Sequence, residues 1–595
     1  MRLRNLWTIP VSILLLAACS SEVVTDSTTS RVGTDAVSYA RLNVNLPTVP
    51  ATRAYTPDAG DDDEFNVTGK TRIFIFEKGT ATTEDDYTFL YEAQPTEWIS
   101  TFKESVTGGD TDAHTDTKTA PEYKGSESFI IKLQGANKVY NDLYALVVLN
   151  GTNISAPDPN EKFGVYNAAL SMMTEDKYND NYTNFVGNAT KGFVMANAAN
   201  SVSAGTNADP TVLVPLTTYN SPTAAKATAG NTVFVERSAV KVTVTVRSPN
   251  SEYPLLSDND VTIKPLLWTL TNTNKFMYPF HRVDGLKNNY SAIWTLPRFL
   301  GNIFYEGFRR TQWSVDPNYQ TDLTAEDYKQ QFATASDVTA AFSTSATENP
   351  LYCAENTFDI AHMKKGQTTA VVVKAQITGP RTPRNDPAAK PRFSRAVSTR
   401  ADATDADATD DDRYYVEGKV YNTDGMLSKV AAVASDAFGV TVESENIVLK
   451  SLLGKADITL TTENFKDLKT AAGDVFTPST DQLKKLNAKL GAVTGYKGGI
   501  CYYIAYIRHF DDETPWQSGE DRYGSDDDAN KKYLGRYGVV RNNWYDLTIQ
   551  DFAYPGSPDI PQPNPEDPDD DNSTIVLSVK VNPWARETTK FVPLE

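Results

Sequence analysis

Histidine and cysteine are the side chains most suited to nucleophilic or metal-assisted chemistry, and this chain of 595 residues has few of them. The four histidines lie far apart in the sequence: His114, His281, His362 and His509. None belongs to an HExxH pair or to a His–Cys spacing, and the chain has no glycine pattern that binds phosphate or a dinucleotide. The sequence therefore predicts no enzyme, no catalytic residue and no cofactor.

Aspartate-rich runs are the remaining candidates for metal binding, and they occur at 61–63, 407–412, 526–528 and 569–571. None has the spaced ligands, turn glycine and terminal glutamate of an EF-hand loop. The sequence favours solvated acidic loops over calcium sites and predicts no bound metal. Lys and Arg number 57 against 76 Asp and Glu, a formal net charge of −19. That charge disfavours nucleic acid as a partner because like charges repel.

The start of the chain combines two basic residues, Arg2 and Arg4, with a short apolar run over 11–18. The run is too short to span a bilayer and is typical of an export signal. It ends in Leu-Ala-Ala-Cys, which resembles the lipobox of bacterial lipoproteins. We expect Cys19 to be lipidated and to become the mature N-terminus at the outer membrane. The alternative is an ordinary secretory signal with a coincidental cysteine.

Only Cys353 and Cys501 remain, which is too few for a disulfide framework. They either pair with each other or stay as buried thiols, and the sequence favours buried thiols. Trp313 and Trp516 are candidates for a glycan- or protein-binding face, although packing in a core is the commoner fate of aromatic side chains. With 40% apolar and 11% aromatic residues, the chain has enough apolar surface for substantial cores.

Two segments at opposite ends of the chain alternate strictly between apolar and polar residues. One apolar set lies near the start: Ala40, Leu42, Val44 and Leu46. The other lies near the end: Ile575, Leu577, Val579 and Val581. This period predicts a β-strand with one buried face in each case. The second strand follows a proline- and aspartate-rich stretch, 554–572, which we expect to be a solvated arm, and an apolar strand on such an arm needs a groove to fill.

Arg53 lies in Pro50-Ala51-Thr52-Arg53-Ala54, within a stretch rich in proline and acidic residues. Proteases cleave mobile, extended backbone. The bond between Arg53 and Ala54 is therefore a candidate site for an Arg-specific protease. The alternative is a solvated arginine without a role in processing.

Further β-branched and aromatic runs predict an all-β-dominated fold with long loops and a few short helices. The predicted strands include 72–77, 129–133, 143–150, 233–247, 261–271, 369–377 and 499–508, and the predicted helices are 168–173, 324–333 and 481–490. The predicted organisation is a signal peptide over 1–19, a propeptide over 20–53, domains over 54–247 and 248–554, and a flexible linker with the last strand over 555–595. A biased stretch, 380–413, is predicted to be a disordered insert in the second domain.

Several segments together resemble the Bacteroidota-type fimbrillins, the subunits of major and minor fimbriae: the lipobox, the early strand with its arginine loop, VERSAVKVTV, LYCAENT, RNNWYDLTI and a PW-containing tail. The resemblance implies two β-sandwich domains of transthyretin-like or Greek-key type, in a lipoprotein precursor held inactive by its own first strand. It also implies that an Arg-specific protease cuts after Arg53, that the strand of Ala40 to Leu46 leaves, and that a neighbour's C-terminal donor strand fills the groove. In this chain the donor is the strand of Ile575 to Val581. The expected partners are copies of this chain or related fimbrial subunits at the cell surface, with host or bacterial surface ligands for adhesion.

A monomeric surface lipoprotein that binds glycan or a host protein is a second function class, and a fimbrial tip or accessory adhesin is a variant of the first. A monomeric binder needs neither a removable first strand nor a donor strand at its C-terminus. Because both devices are predicted here, the sequence favours a stalk or accessory fimbrial subunit.

Overall fold

The computed structural model describes residues 37–46, 48–50, 67, 70–100, 103–104, 122–123, 126–134, 142–171, 192–202, 210–246, 252–283, 285–291, 294, 299, 308–319, 332–333, 350–379, 411–509, 533–569, 574–583 and 586–588. These segments are mostly β-strand, arranged as two sandwiches and one inserted α/β unit, which confirms the predicted all-β-dominated class. No helix within them is long and apolar enough to cross a membrane.

The first sandwich is built from the N-terminal strands. In chain order the strands are β1 (Ser38–Asn45), β2 (Thr48–Pro50), β3 (Arg72–Glu77), β4 (Thr88–Ala93), β5 (Pro95–Ser100), β6 (Lys103–Glu104), β7 (Glu122–Tyr123), β8 (Ser126–Leu133), β9 (Leu143–Leu149), β10 (Met195–Asn197), β11 (Asn200–Val202), β12 (Val214–Pro215) and β13 (Asn231–Arg237). Helices α1 (Phe163–Ser171) and α2 (Pro222–Lys226) lie between them.

The main sheet of this sandwich has the order β4-β3-β9-β10-β13-β1-β8-β5. β13 pairs with β1 through its first half and with β10 through its second half, so the sheet folds over at this strand. The layer containing β1 and β8 then faces the layer containing β3 and β9. Their shared core includes Leu42, Phe129, Ile75 and Val147, all 0% exposed.

The chain passes from the first sandwich to the second at a single residue, Ser238. β13 ends one residue before it, and the next strand, β14 (Ala239–Thr245), belongs to the second sandwich. The sequence predicts one strand over 233–247, whereas the structure divides this stretch between two sheets. The alternation of buried residues changes phase at this point. Odd-numbered residues such as Val235 face the first core, and even-numbered residues such as Val240 face the second.

The second sandwich begins with β14 and continues to a long insertion. The strands before the insertion are β15 (Tyr253–Leu255), β16 (Asp258–Thr271), β17 (Thr273–Asn274), β18 (Phe308–Arg310), β19 (Phe332–Ala333), β20 (Leu351–Ala354) and β21 (Ala370–Thr378), with the helix α3 (Leu286–Asn289). The predicted helix over 324–333 falls outside the described residues except at 332–333, which form β19 instead.

An α/β unit follows β21, and the predictions missed it as a unit. Its elements are β22 (Arg413–Val416), β23 (Lys419–Asn422), α4 (Thr423–Phe438), β24 (Lys455–Ile458), α5 (Thr480–Leu490) and β25 (Val493–Tyr496). The strands form an antiparallel sheet in the order β23-β22-β25-β24, and a separate core that includes Tyr414, Val430 and Leu486 joins it to the helices. Of the predicted disordered insert, 411–413 belong to this unit's edge and 380–410 lie outside the described residues.

Three strands after the insertion complete the second sandwich: β26 (Ile500–Tyr506), β27 (Asn543–Phe552) and β28 (Ile575–Pro583). A last strand, β29 (Arg586–Thr588), follows. One layer has the order β20-β14-β27-β28 and the other β15-β16-β21-β26. They are connected where β15 pairs with the end of β27, beyond the part that β14 covers. The core between the layers includes Val242, Leu547, Val373 and Tyr503.

The stretch before β28 differs from the solvated arm that its composition predicts. Ser557 exchanges two backbone hydrogen bonds of 2.8 Å with Tyr502 of β26, and the Lys365 amide donates to the Asp567 carbonyl over 2.8 Å. Gly556 allows this close approach, because a Cβ at this residue would lie 2.4 Å from the Tyr502 carbonyl oxygen. Proline excludes helix but not an extended chain laid along a folded surface. Residues 555–569 therefore lie against the second sandwich.

A third apolar core fixes the two sandwiches to each other. It combines residues from the outer face of the β3 and β9 layer with residues from β21, β26 and the loops between them; examples are Phe74, Phe280, Trp313 and Val372. Asn167 of α1 crosses this boundary, donating to the Phe280 carbonyl over 2.8 Å and accepting from the Phe280 amide over 3.1 Å. The relative position of the sandwiches is thus set by packing as well as by the chain.

Buried ion pairs lie beside this core, next to the Ser238 crossing. Arg541 Nε donates to Glu355 Oε2 over 2.5 Å, and the two side chains are 3% and 2% exposed. The other two nitrogens of Arg541 donate to the carbonyls of Tyr278 and Pro279 over 2.6 and 2.9 Å. Arg541 opens the RNNWYDLTI segment, so this motif connects the second sandwich to the interface.

Glu236 forms the second buried pair at the same boundary. It accepts from Arg310 Nε and lies 2.7 Å from His281 Nδ1. Burial alone raises the pKa of a carboxyl group, but Arg310 and His281 together hold the pKa of Glu236 down at about 2. Arg310 also donates to the Arg541 carbonyl over 2.5 Å, which joins the two pairs into one network.

Replacement of Arg541 by Met should lower the free energy of unfolding by about 3–5 kcal/mol, because Glu355 loses its buried counter-ion. Urea denaturation measures this loss. The control is Lys162→Ala, which removes an exposed pair with Asp86, 54% and 47% exposed, and should leave stability unchanged within error. Equal effects of the two substitutions would contradict a structural role for the buried pair.

Candidate functional site

β1 lies in the middle of the first sheet and is paired along both edges. It runs antiparallel to β8 along its whole length and parallel to the first half of β13. Its apolar residues face the core, as the alternation predicts: Ala40, Leu42 and Val44 are 0% exposed and Leu46 is 1% exposed. Removal of β1 would leave a groove between β8 and β13 with two unpaired backbone edges and an uncovered core.

Polar contacts on the outer face tie β1 to its neighbours. Arg41 donates from Nη1 to the carbonyls of Lys226 and Thr228 over 3.0 and 2.6 Å, and from Nε to Ser128 Oγ of β8 over 3.0 Å. Gly230, at φ +75°, packs against this arginine, and a Cβ there would lie 2.7 Å from Arg41 Cγ. Specific side-chain hydrogen bonds, as well as the two backbone ladders, therefore keep β1 in place.

Glu127 is a buried acid on the wall of the groove, and the predictions missed it. It stands opposite Val44 in the β1–β8 register and is 5% exposed. Its Oε1 has no hydrogen-bond partner, and burial raises the pKa of the carboxyl group to about 8. The signal for it was present in SESFIIKL, where Glu127 is in phase with the core residues Phe129 and Ile131.

The predicted donor strand, β28, pairs antiparallel with β27 of its own chain. The predicted alternation is present: Ile575 is 4% exposed, three further inward residues are half-buried, and the outward residues are exposed. The half-buried residues are Leu577, Val579 and Val581. β28 is therefore not a free strand on a solvated arm. Because its alternating residues complete the core of the second sandwich, it forms an outer strand of that sandwich.

The two ends of the chain also meet each other. β2, which follows β1, pairs in parallel with β29, which follows β28. β2 ends at Pro50, three residues before the predicted cleavage site. Arg53, Ala54 and the predicted lipid site Cys19 lie outside the described residues.

The described histidines belong to separate contacts rather than to one site. The contacts are His281 Nδ1 with Glu236 at 2.7 Å, His362 Nδ1 with Asp359 at 2.5 Å and His509 Nδ1 with the Tyr545 hydroxyl at 2.6 Å. His114 lies outside the described residues. In the part of the chain that the structure describes, no three His, Cys, Asp or Glu side chains form a group that could hold a metal ion.

Trp313 is a core residue, so the alternative of an exposed binding face is wrong for it. It is 0% exposed and its Nε1 donates to the Phe358 carbonyl over 3.3 Å. Trp516 lies outside the described residues. Cys353 and Cys501 are free and buried, as predicted, and burial raises the pKa of both thiols to about 12.

Residues 494–590 match the sequence model of the family described as major fimbrial subunit protein type IV, fimbrillin, C-terminal. The matched region contains β26, β27 and β28, and it confirms the resemblance to the fimbrillins over this segment. No curated protein matches the chain.

Three solved structures align with most of this chain at low sequence identity. A candidate cell adhesion protein from Parabacteroides distasonis is 11% identical, with 92% of this chain and 98% of that chain covered and a TM-score of 0.31. A candidate cell adhesion protein from Bacteroides eggerthii is 11% identical, with 94% and 98% covered and a TM-score of 0.28. The tip fimbrial protein Mfa3 from Porphyromonas gingivalis is 9% identical, with 92% and 100% covered and a TM-score of 0.30.

The raised pKa of Glu127 predicts that the free energy of unfolding depends on pH. The pKa lies at about 8 in the folded chain against an ordinary value of 4.5, so the protonated form is stabilising and this contribution is lost as pH rises from about 4.5 to about 8. Glu127→Gln cannot ionise and should gain stability relative to the wild type across that range, by up to about 1.4 kcal/mol per pH unit. Parallel curves of unfolding free energy against pH for the two proteins would contradict this assignment.

Proposed function

We propose that this chain is a subunit of a cell-surface fimbrium, exported as a lipoprotein on Cys19 and polymerised by donor-strand exchange. The match of its C-terminal segment to a fimbrial subunit family supports the fimbrial role. The observation that carries the exchange mechanism is β1: it is a central strand with a buried inner face, and it precedes a candidate protease site in the sequence. Cleavage after Arg53 makes β1 a separate chain, held only by non-covalent contacts.

The intact precursor is inactive because its own β1 occupies the groove at high effective concentration. After cleavage the strand is able to dissociate and is diluted away. A C-terminal strand from a neighbour then enters between β8 and β13. Four inward apolar side chains contribute about 1.5–3 kcal/mol each, roughly 6–12 kcal/mol in total before entropy losses.

The difference between the two environments of β28 favours exchange. On its own chain β28 forms a ladder with β27, and three of its four inward residues stay half-buried. The corresponding residues of β1 in the groove are at most 1% exposed, and β1 forms ladders with both neighbours. A strand that moves from the first environment to the second therefore gains buried apolar area and a second set of backbone hydrogen bonds.

An accessory or tip adhesin is the second candidate. The α/β unit of 413–496 favours it, since this unit has its own core and contributes no strand to either sandwich. A monomeric surface lipoprotein that binds glycan or a host protein remains the alternative if exchange does not occur.

Replacement of Val579 by Asp should abolish polymerisation, because it carries a carboxylate into a groove whose facing side chains are apolar or, at Glu127, also acidic. The assay mixes Arg53-cleaved subunits and follows ladders that resist mild denaturant. Association should fall by orders of magnitude, since each 1.4 kcal/mol is tenfold. Lys580→Asp is the matched control, because Lys580 is the adjacent residue and is exposed. Melting temperatures of both variants separate assembly from folding, and equal polymerisation of the two would show that β28 is not the donor.

The N-terminus of the assembled protein tests the processing steps. Subunits on sheared surface filaments should begin at Ala54, and Arg53→Ala should leave full-length precursor without filaments. Cys19→Ser should block surface delivery, because the precursor loses its lipid anchor. Filament subunits that begin at Cys19 would exclude cleavage after Arg53, and normal display of Cys19→Ser would exclude lipidation.

A further inference from the structure

The groove that β1 fills has one polar position on an otherwise apolar wall. Along β8 the core-facing residues Leu133, Ile131 and Phe129 are each 0% exposed, and the next residue in that phase is Glu127. The register pairs Glu127 with Val44 of β1. Opposite residues of an antiparallel pair lie on the same face, so the side chain of Glu127 lies on the core side of the sheet, as that of Val44 does.

β1 does not satisfy this acid. Glu127 is 5% exposed, its Oε1 is fully buried, and that oxygen has no hydrogen-bond partner. Its raised pKa has burial as its cause, with no contribution from a neighbouring charge. The neighbouring polar contacts are on the other face, where Ser128 Oγ contacts Arg41 and Asn43. An unsatisfied buried acceptor is costly, and a donor in the facing strand would remove that cost.

The chain's own donor strand offers no better match. Two registers keep its four inward residues towards the core, and they set Val579 or Val581 opposite Glu127. Both residues are aliphatic. A shift by one residue would bring Lys580 inward but would turn the whole apolar face outward. In either register, therefore, the C-terminal strand of an identical copy leaves the carboxyl group of Glu127 without a hydrogen-bond donor.

We propose that Glu127 makes this groove selective for the C-terminal strand of a different subunit, one that carries a hydroxyl or amino hydrogen-bond donor opposite Glu127. The inference rests on the proposed function, and it concerns which partner enters the groove. A strand with a donor there satisfies the carboxyl group, whereas the strand of an identical copy does not. The chain would then accept a different subunit at its groove in preference to its own kind.

Fluorescent peptides of residues 572–585 test this selectivity against the full chain cleaved after Arg53. Threonine is close in shape to valine and adds one hydroxyl donor, so Val579→Thr and Val581→Thr are the test peptides. Leu577→Thr is the control, because residue 577 is not opposite Glu127 in either register. Fluorescence anisotropy should show one of the two test peptides binding about tenfold more tightly than the wild-type peptide, and the control binding more weakly.

The acceptor variant Glu127→Leu should reverse the order, so that the wild-type peptide binds best. Glu127→Gln is the second acceptor; it keeps the shape of the side chain, and its amide also accepts a hydrogen bond, so the order should persist above pH 8. If both threonine peptides bind more weakly than the wild type in all three acceptors, the selectivity proposal is overturned and strand exchange stands. If no peptide binds the cleaved chain, the proposed function itself fails.

Discussion

A central strand of a sheet has to be hydrogen-bonded along both edges and packed on its inner face, and β1 satisfies all three requirements for the first sandwich. The sandwich cannot lose this strand without replacing it, because two backbone edges and a core would be left exposed. Many sequences could occupy this groove, because any strand with alternating apolar residues can form both ladders and cover the core. The groove therefore demands an occupant but specifies that occupant only through a few positions such as Glu127.

The alternation of the end strands could be predicted from the sequence because it is a local property. The faces of Ala40 to Leu46 and of Ile575 to Val581 follow from period two alone. Pairing partners are not local, so nothing in the sequence showed that β28 lies on β27. The 555–569 stretch was misread for a similar reason: its prolines exclude helix, but its contacts with Tyr502 and Lys365 depend on the folded surface.

The parts of the site and fold that sequence reasoning missed depend on phase and on distance along the chain. Glu127 continues the core phase of β8, and the shift at Ser238 divides one apolar run between two sheets. Both features follow from the amino-acid sequence, but they become visible only when the alternation of residues is counted from a residue known to lie in the core. The buried network of Arg541, Glu355, Arg310 and Glu236 joins distant segments, since Arg310 donates to the carbonyl of Arg541, 231 residues further along the chain. No local sequence pattern predicts such a contact.

The crossing at Ser238 has a mechanical consequence for a fibre. The groove lies beside β13, and β28 lies beside β27, which is itself hydrogen-bonded to β14. If subunits join as proposed, tension enters through the ladder on β13, crosses one residue into β14, passes through the β14–β27 ladder, and leaves along the backbone that connects β27 to the outgoing strand. The ladders on this path are pulled along the direction of their strands, so their hydrogen bonds share the force rather than opening one at a time. The third apolar core and the buried ion pairs then serve to keep the two sandwiches from rotating under that pull.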